Sequence, residues 1–218
     1  GAMDERGVFV DPHRIMALAT RYLVEKRHLS GSVVRTVSTT RMIDRLAKRY
    51  GLTLHETPIG FNHIADYMLS EQVLIGGEES GGISFLGHIP EGDGILMGLL
   101  LTEIVAESGG NLSELVDGLL HDVGPAFYAR TDLRSNHPVA KQQMADRLLS
   151  EAPTEIGGEK VNEVSSLDGV KYIFADDSWL LIRPSGTEPV LRVYAEGRSQ
   201  DMVQALLSYG EKIAQDFQ

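Results

Sequence analysis

The sequence predicts an α/β protein in two parts: a domain with a mixed, mostly parallel sheet flanked by helices, then a smaller α+β domain with an antiparallel sheet. Three observations predict this fold class. In residues 11–120, short β-branched runs alternate with segments of helical periodicity, which is the pattern of strands joined by crossover helices. In residues 121–218, several β-rich runs follow one another closely, as in an antiparallel sheet. An amphipathic helix at 200–215 closes the chain.

The elements of the first domain follow from helix caps, periodicity and glycines. Asp11 can cap the first helix, and Pro12 suits its first position. Thr39 or Thr40 can cap the second helix, and Gly51 is placed to end it. In chain order we predict a helix at 12–27, a strand at 32–37, a helix ending at 50, a strand at 52–57, a helix at 62–69, strands at 72–75 and 83–86, and an apolar helix at 94–107 capped by Asp93.

The second domain begins after one more helix. Asn111 and Glu114 resemble a capping box for that helix, and we expect the domain boundary near residue 120. Asp176 and Asp177 suit a hairpin turn. The predicted elements are a strand at 124–131, a helix at 138–150, strands at 171–175, 179–183 and 190–194, and the closing helix.

The composition argues against several classes of protein. The formal net charge of −11 disfavours a nucleic-acid partner, because binding to the phosphate backbone uses broad faces of Lys and Arg. The longest apolar run, residues 95–101, is interrupted by Gly98 and is too short to span a bilayer, so no membrane partner is expected. The chain has no cysteine, which fits a cytoplasmic location.

A glycine-rich loop with two acids, GGEESGG at 76–82, lies between two apolar strands. Its glycines allow the backbone to approach a ligand closely. The Glu78 carboxylate can accept hydrogen bonds from two neighbouring sugar hydroxyls, and the Ser80 hydroxyl can both donate and accept, so the pair favours a polyol. A polar hairpin with solvated acids would have the same composition. The loop matches neither a Walker loop nor a dinucleotide-binding fingerprint.

A second loop, with the sequence RPSGTEP, also joins two strands and has the opposite chemistry. Arg183 can hold a phosphate with two parallel hydrogen bonds. Ser185 and Thr187 offer hydroxyls, and the amides around Gly186 can form an anion-binding nest. The loop therefore predicts a phosphate site, with an exposed turn as the alternative. Glu188 is a candidate for orienting Arg183.

The two loops together resemble those of a known enzyme family. GEESGG followed by RPSGTEPVLRVY resembles the pair that marks the third and fourth domains of the α-D-phosphohexomutases, the phosphoglucomutase/phosphomannomutase family. The resemblance extends to ETPIGF, PEGDGILMGLLLTEI and DGVKYIFADDSWLLIRPSGTEP. It covers nearly the whole chain, which is identified as the C-terminal half of such an enzyme, domains 3 and 4.

The resemblance implies an isomerase, an intramolecular phosphotransferase that interconverts hexose 1-phosphate and hexose 6-phosphate through a bisphosphorylated sugar. The family uses a phosphoserine in a TASHNP-like loop of its first domain, and Mg²⁺ held by a DGDADR-like loop of its second. Neither string occurs in this chain. The full-length enzyme is therefore expected to need Mg²⁺ and a bisphosphorylated hexose activator. Neither is expected to be bound to this fragment, which we expect to be inactive alone.

The resemblance also divides the chain. Residues 4–7, DERG, resemble the stretch after the metal loop, so residues 4–10 are expected to be a remnant of the junction between domains 2 and 3. Residues 1–3, Gly-Ala-Met, have the composition of an expression scar. Residues 11–120 would then form the sugar-binding domain and residues 121–218 the phosphate-binding C-terminal domain. The implied partners are a hexose phosphate substrate and the missing domains 1 and 2.

By position, the resemblance implies two groups of binding residues and no metal ligand. The residues implied to contact sugar hydroxyls are Gly60, Asn62, Gly77, Glu78 and Ser80. The residues implied to hold the phosphate that is not reacting are Arg183, Ser185, Gly186 and Thr187.

Three further residues are candidates for supporting roles. His63 is the candidate general acid or base, because some relatives have a His where this chain has Gly82 and many have a Lys beside the segment at 60–63. A lone His on a short helix is, however, more often a surface or packing residue, and no other catalytic residue is expected in this fragment. Arg41 and Arg192 are candidate extra phosphate contacts, although solvated faces also explain them. The remaining histidines show no metal-ligand spacing: His13, His28, His55, His88, His121 and His137.

Two other functions stay open. A stand-alone sugar-phosphate-binding module would use the same loops without turnover. A fragment of a phosphoglucosamine mutase is the second alternative. In such enzymes the sugar loop tends to end in Gly-His and to carry Gln in place of the second Glu, so Glu79 and Gly82 disfavour it.

Overall fold

A computed structural model of the chain describes residues 1–135, 140–186 and 188–217. It forms two compact units, Gly1–Gly124 and Pro125–Gln218. Among the described residues, no single helix has both the length and the apolarity to span a bilayer. Two consecutive helices meet that test only as a pair, which is bent by 87°.

The first unit contains five helices and six strands in its described residues. The helices are α1 (Pro12–Glu25), α2 (Met42–Tyr50), α3 (Phe61–Ser70), α4 (Gly94–Ser108) and α5 (Leu112–Val123). The strands are β1 (Ala2–Met3), β2 (Phe9–Val10), β3 (Ser32–Thr36), β4 (Leu54–Thr57), β5 (Val73–Gly77) and β6 (Ile83–Phe85).

The main sheet of the first unit is mixed and mostly parallel, which confirms the predicted fold class. Its order is β4-β3-β5-β6. The central strand β3 pairs in parallel with β4 and with β5, and only β6 runs antiparallel to its neighbour. A separate antiparallel pair joins β1 and β2.

Helices cover both faces of this sheet, as two successive glycines of β5 show. A Cβ on Gly76 would collide with Ile64 of α3, whereas a Cβ on Gly77 would lie 2.8 Å from Met16 Sδ of α1. Because successive strand residues point to opposite faces, α3 and α1 lie on opposite sides of the sheet. The two missing side chains let both helices approach β5 closely.

The helix caps follow the sequence at α1, α4 and α5 but not at α2. Asp11 accepts a hydrogen bond from the Arg14 amide, and Asp93 caps α4. Asn111 and its partner acid form the predicted capping box of α5. At α2 the cap position is Arg41, because the Thr40 hydroxyl bonds to the Met42 amide inside the turn that precedes the helix.

The boundary between the units lies later than predicted. The sequence placed it near residue 120, which falls inside α5. That helix continues to Val123 because Val116, Leu119 and Val123 extend its buried stripe. The contacts divide the chain after Gly124.

The second unit is α+β, as predicted. Its elements are β7 (Phe127–Arg134), α6 (Lys141–Ser150), β8 (Glu155–Ile156), β9 (Glu159–Ser165), β10 (Val170–Phe174), β11 (Trp179–Pro184), β12 (Val190–Gly197) and α7 (Gln200–Gln215). They form a sheet of order β7-β12-β11-β10-β9-β8 in which every pair is antiparallel. The residues predicted to begin α6, 138 and 139, lie outside the described residues.

The core of the second unit lies on one face of this sheet. Residues of α6 and α7 pack there against alternate residues of the central strands, such as Leu180, Ile182 and Val193. Gly210 of α7 contacts this face so closely that a Cβ would lie 2.5 Å from Val193. The opposite face carries the alternate residues, and these include Arg183 and Arg192.

Candidate functional site

The loops that follow β3, β4 and β5 meet at one edge of the first unit's sheet, because parallel strands have their carboxyl ends on the same side. The chain leaves β3 for β4 on one side and later returns to β5 on the other. This reversal makes the carboxyl ends of β3 and β5 a topological switch point. Ligands of open α/β sheets bind outside such points. The loop at 78–82 follows β5 directly.

Glu78 is fixed by a loop that follows another strand. Its Oε1 accepts a hydrogen bond from the Gly60 amide at 2.9 Å. A Cβ on Gly82 would lie 3.4 Å from Glu78 Oε2, so Gly82 borders the same carboxylate. His63 lies in the first turn of α3 and interacts electrostatically with Glu78. The structure therefore brings Gly60, Glu78 and His63 together.

The carboxyl group of Glu78 is half-buried, and burial raises its pKa above the ordinary value. The neighbouring carboxylate of Glu79 also raises this pKa, while the Gly60 amide and His63 oppose the shift. Ionised Glu78 is thus less well solvated than a surface acid. Hydroxyl groups of a ligand could donate to it in place of water.

Glu79 has a structural role that the sequence did not predict. Its Oε2 accepts a hydrogen bond of 2.6 Å from the hydroxyl of Ser38, a buried residue just after β3. This bond ties the loop after β5 to the loop after β3, across the switch point. Of the two adjacent acids, Glu79 anchors the loop and Glu78 faces Gly60.

The other predicted sugar contacts occupy different positions. Ser80 is exposed in the turn between β5 and β6, and Asn62 is exposed on the first turn of α3. A Cβ on Gly60 would lie 2.6 Å from Asn62 Oδ1, so Asn62 borders the same loop. Gly77 is buried inside β5 and pairs with Arg35 and Ile83 of the adjacent strands. Its position supports a packing role rather than a sugar contact.

In the second unit, Arg183 lies near the end of β11 and is held by a carboxylate that the sequence did not single out. Its Nε donates a hydrogen bond of 2.7 Å to Asp168 Oδ2. The Asp168 side chain is 2% exposed, and its Oδ1 accepts from Lys141 Nζ at 2.5 Å. Glu188 instead pairs with Arg192, at 3.3 Å. The suggestion that Glu188 orients Arg183 is therefore wrong, because the register places Glu188 beside β12.

Arg192 lies directly opposite Arg183 in the β11–β12 pair. Directly opposite residues of an antiparallel pair share a face, so the two side chains leave the sheet from neighbouring positions. Arg192 also lies 3.8 Å from Asp132 of β7. The prediction that Arg192 supplements Arg183 is compatible with this placement.

The rest of the phosphate loop is only partly described. The Ser185 amide donates to the Val190 carbonyl at 2.7 Å, which closes the loop. A Cβ on Gly186 would meet no atom within 4 Å, so its backbone is open to a ligand. Thr187 lies outside the described residues. A cavity of about 430 Å³ beside the loop is lined by Asp132, Arg134, Ser135, Glu188, Pro189 and Val190.

Arg41 forms an ion pair with Asp44 inside the first unit, a partner that the sequence did not predict. Three histidines also have defined partners. His13 is buried and accepts a hydrogen bond from the Thr40 amide through Nδ1, and His55 and His88 pair with Glu71 and Asp93. His137 lies outside the described residues.

The described residues contain no group of three or more His, Asp or Glu side chains that could hold a metal ion.

Both units match models of one protein family. Residues 11–123 match the model described as phosphoglucomutase/phosphomannomutase, alpha/beta/alpha domain III. Residues 139–208 match the phosphoglucomutase/phosphomannomutase C-terminal domain.

The chain is also similar to full-length curated proteins. It is 31% identical over 214 residues to a phosphoglucomutase/phosphomannomutase of Thermococcus kodakarensis, covering 98% of the chain and 44% of that protein. It is 36% identical over 204 residues to a phosphoglucosamine mutase of Acetivibrio thermocellus, covering 93% of the chain and 41% of that protein. The chain thus spans less than half the length of these curated relatives.

The chain is likewise similar to solved structures over less than half of their length. A structure from Thermus thermophilus, described as a phosphomannomutase, is 34% identical with a TM-score of 0.77, over 96% of this chain and 42% of the other. A phosphoglucomutase/phosphomannomutase family protein from Burkholderia thailandensis has a TM-score of 0.74 over 96% of this chain and 42% of its own. The latter is only 20% identical, so that likeness concerns the fold alone.

Proposed function

Because the chain belongs to the phosphoglucomutase/phosphomannomutase family, we propose that it is the substrate-holding part of a phosphohexomutase. The proposed reaction of the whole enzyme interconverts hexose 1-phosphate and hexose 6-phosphate through a bisphosphorylated sugar. The chain's own task is to bind the sugar hydroxyls and the phosphate that is not reacting. Since the chain spans less than half of its relatives, we expect no turnover by the chain alone.

The observation that carries this proposal is the pair of opposed arginines, Arg183 and Arg192. Like charges directly opposite each other on a sheet are unfavourable, and nearby anions offset their repulsion. Arg183 pairs with Asp168, and Arg192 pairs with Glu188 and Asp132. Each guanidinium group carries five N–H donors, so donors of both groups remain for a ligand. A phosphate dianion beside the open backbone of Gly186 would accept from these donors.

The sugar would bind at the carboxyl edge of the first unit's sheet. Glu78 is fixed there by Gly60 and carries a raised pKa, caused mainly by burial, that reflects incomplete solvation of its charged form. Two neighbouring sugar hydroxyls could donate to this carboxylate in place of water. Exposed Ser80 lies two residues further along the same loop, and exposed Asn62 borders Gly60.

The chemistry of these two sets of residues, each in its own unit, suits a bisphosphorylated intermediate that must present each end in turn. A fixed anion site holds whichever phosphate is not reacting, and a carboxylate that accepts from adjacent hydroxyls tolerates both orientations of the ring. Binding energy at the remote phosphate then orients the reacting end. In the family, the phosphoserine and Mg²⁺ supply the phosphoryl transfer.

A calorimetric titration with glucose 1,6-bisphosphate tests the proposal. The chain should bind the sugar, and Arg183→Ala should weaken binding by at least about tenfold, because charge-assisted hydrogen bonds to phosphate are lost. Arg147→Ala is the matched control, since Arg147 is an exposed arginine of α6 that pairs with Glu151. Equal affinities of the two variants would refute the phosphate site. Turnover by the chain in a mutase assay would refute the holding role.

An amino-sugar phosphate is the second candidate ligand, because the Acetivibrio thermocellus relative is a phosphoglucosamine mutase. The sequence features that disfavour it, Glu79 and Gly82, lie in the loop that Ser38 anchors. A parallel titration with glucosamine 1,6-bisphosphate decides between the two. Tighter binding of the amino sugar would move the proposal to a phosphoglucosamine mutase.

A further inference from the structure

We propose that Asp168 is a positioning residue that holds the Arg183 guanidinium in the orientation in which it meets phosphate. The inference rests on the proposed function, because it takes Arg183 to be a phosphate ligand. It adds a residue that lies outside the RPSGTEP loop and that does not itself touch the ligand.

The geometry shows how Asp168 can act on Arg183. Asp168 receives the Nε–H of Arg183 at 2.7 Å, a bond made at the side of the guanidinium. The end of the guanidinium, with its two Nη groups, is an edge that can hold a phosphate through two parallel bonds. A carboxylate on Nε therefore fixes the plane of the group while its end remains directed elsewhere.

Asp168 is itself held in place. Its side chain is 2% exposed, and Lys141 occupies its other oxygen. The next residue, Gly169, has a φ of 84°, and a Cβ there would lie 2.5 Å from the Ile182 carbonyl and 2.8 Å from Arg183 Cβ. The backbone before β10 is thus pressed against Arg183. A short carboxylate at position 168 reaches Nε for this reason.

Through its negative charge alone, Asp168 should weaken the binding of phosphate at this site. A buried carboxylate beside Arg183 offsets part of the positive charge that attracts phosphate. Orientation is what such a carboxylate contributes. A free arginine side chain samples many rotamers, and one that is ordered beforehand loses less conformational entropy when phosphate binds.

The charge of Asp168 and its positioning role predict opposite effects on phosphate binding. Asp168→Asn in the 218-residue chain therefore tests the proposal, with glucose 1,6-bisphosphate as the probe. Removal of a negative charge should tighten binding if Asp168 acts only through its field. The positioning role predicts the opposite, a loss of about threefold to tenfold, which is the cost of ordering a side chain on binding. Asp132→Asn is the control, because Asp132 is a less buried carboxylate near Arg192 and its removal should tighten binding slightly.

A double-mutant cycle separates positioning from general damage to the fold. If Asp168 acts through Arg183, Asp168→Asn should change the affinity little in an Arg183→Ala background, whereas a general structural effect would add to it. Equal losses in both backgrounds would overturn the proposal.

One measurement needs no variant at position 168. The Arg183 Nε–H signal in an NMR spectrum of the unmodified chain should exchange slowly with water, because it is bonded to a buried carboxylate. A rapidly exchanging signal would overturn the proposal even if Asp168→Asn fails to fold. If the chain binds the sugar through Arg183 and Asp168→Asn binds as tightly or more tightly, only this inference falls. If the chain binds no bisphosphate, both the proposed function and this inference are refuted.

Discussion

The guanidinium of Arg35 binds both oxygens of Asp44 through two parallel hydrogen bonds of 2.6 Å. Its Nη1 donates a third bond of 2.6 Å to Glu56. Arg35 lies on β3, Asp44 on α2 and Glu56 on β4, and the arginine side chain is 1% exposed. One buried cation therefore joins three elements beneath the loops at the carboxyl edge of the sheet.

Replacement of Arg35 by Met should be among the most damaging single changes in the first unit. It would leave Asp44 and Glu56 partly buried without their shared cation, and breaking a buried pair in this way costs about 3 to 5 kcal/mol. Chemical denaturation followed by circular dichroism measures the loss. Arg49→Met is the control, because Arg49 is 47% exposed and its pair with Asp122 should contribute under about 1 kcal/mol. Similar losses for both variants would contradict this account.

The same network should make the first unit sensitive to acid. Burial is the largest single influence on Asp44 and opposes its ionisation, but the combined effects of Arg35 and Arg41 outweigh it, and the pKa of Asp44 is lowered from the ordinary value of 3.8. A lowered pKa contributes stability above the unfolded-state value and loses it as the pH falls through the folded-state value. The difference in unfolding free energy between the unaltered chain and Asp44→Asn should therefore shrink below pH 3.8. A constant difference would mean that Asp44 is not ionised in the fold.

Glu78 should behave in the opposite way. Burial raises its pKa, so stability is lost as the pH rises from the unfolded-state value through the folded-state value of this group. Glu78→Gln should accordingly raise the melting temperature modestly at pH 7, with no gain below the ordinary value of 4.5, while it weakens sugar binding. Glu79→Gln is the comparison, and it should give no such gain because it weakens the bond from Ser38. A lower melting temperature for Glu78→Gln at pH 7 would contradict the expectation.

Two glycines inside helices should respond oppositely to the same substitution. Gly118 of α5 has open space where a Cβ would lie, so Gly118→Ala should stabilise the first unit by about 0.5 to 1 kcal/mol through helix propensity. Gly210 of α7 has Val193 at 2.5 Å from that position, so Gly210→Ala should destabilise the second unit by about 1 to 3 kcal/mol. Thermal melts of each variant, with Trp179 fluorescence reporting on the second unit, check both signs. A gain at Gly210 would show that α7 can shift away from β12.

Local signals in the sequence predicted most of the elements. Asp11-Pro12, Asp93 and the capping box at Asn111 each fix a helix start through bonds within a few residues, and all three are present. Strand β9 was missed because its residues, EKVNEVS, are mostly polar and exposed, so no apolar run marks it. The boundary was placed too early because the end of α5 depends on packing.

The site was predictable only where a single loop carries the chemistry. Glu78 and Arg183 stand out because glycines and donors surround them in the sequence. The bonds from Asp168 to Arg183 and from Ser38 to Glu79 join segments that only strand pairing brings together. An Asp-Gly pair just before a strand was the only local sign of Asp168, and many turns carry it.

The two adjacent glycines of β5 link distant positions in a way that relatives should reveal. Gly76 meets Ile64 on one side of the sheet and Gly77 meets Met16 on the other. A relative with a larger residue at position 76 should have lost volume at position 64, and one with a larger residue at position 77 should have lost it at position 16. Among relatives, positions 76 and 64 should therefore vary together, and so should positions 77 and 16. The two pairs should vary independently of each other because they lie on opposite faces of the sheet.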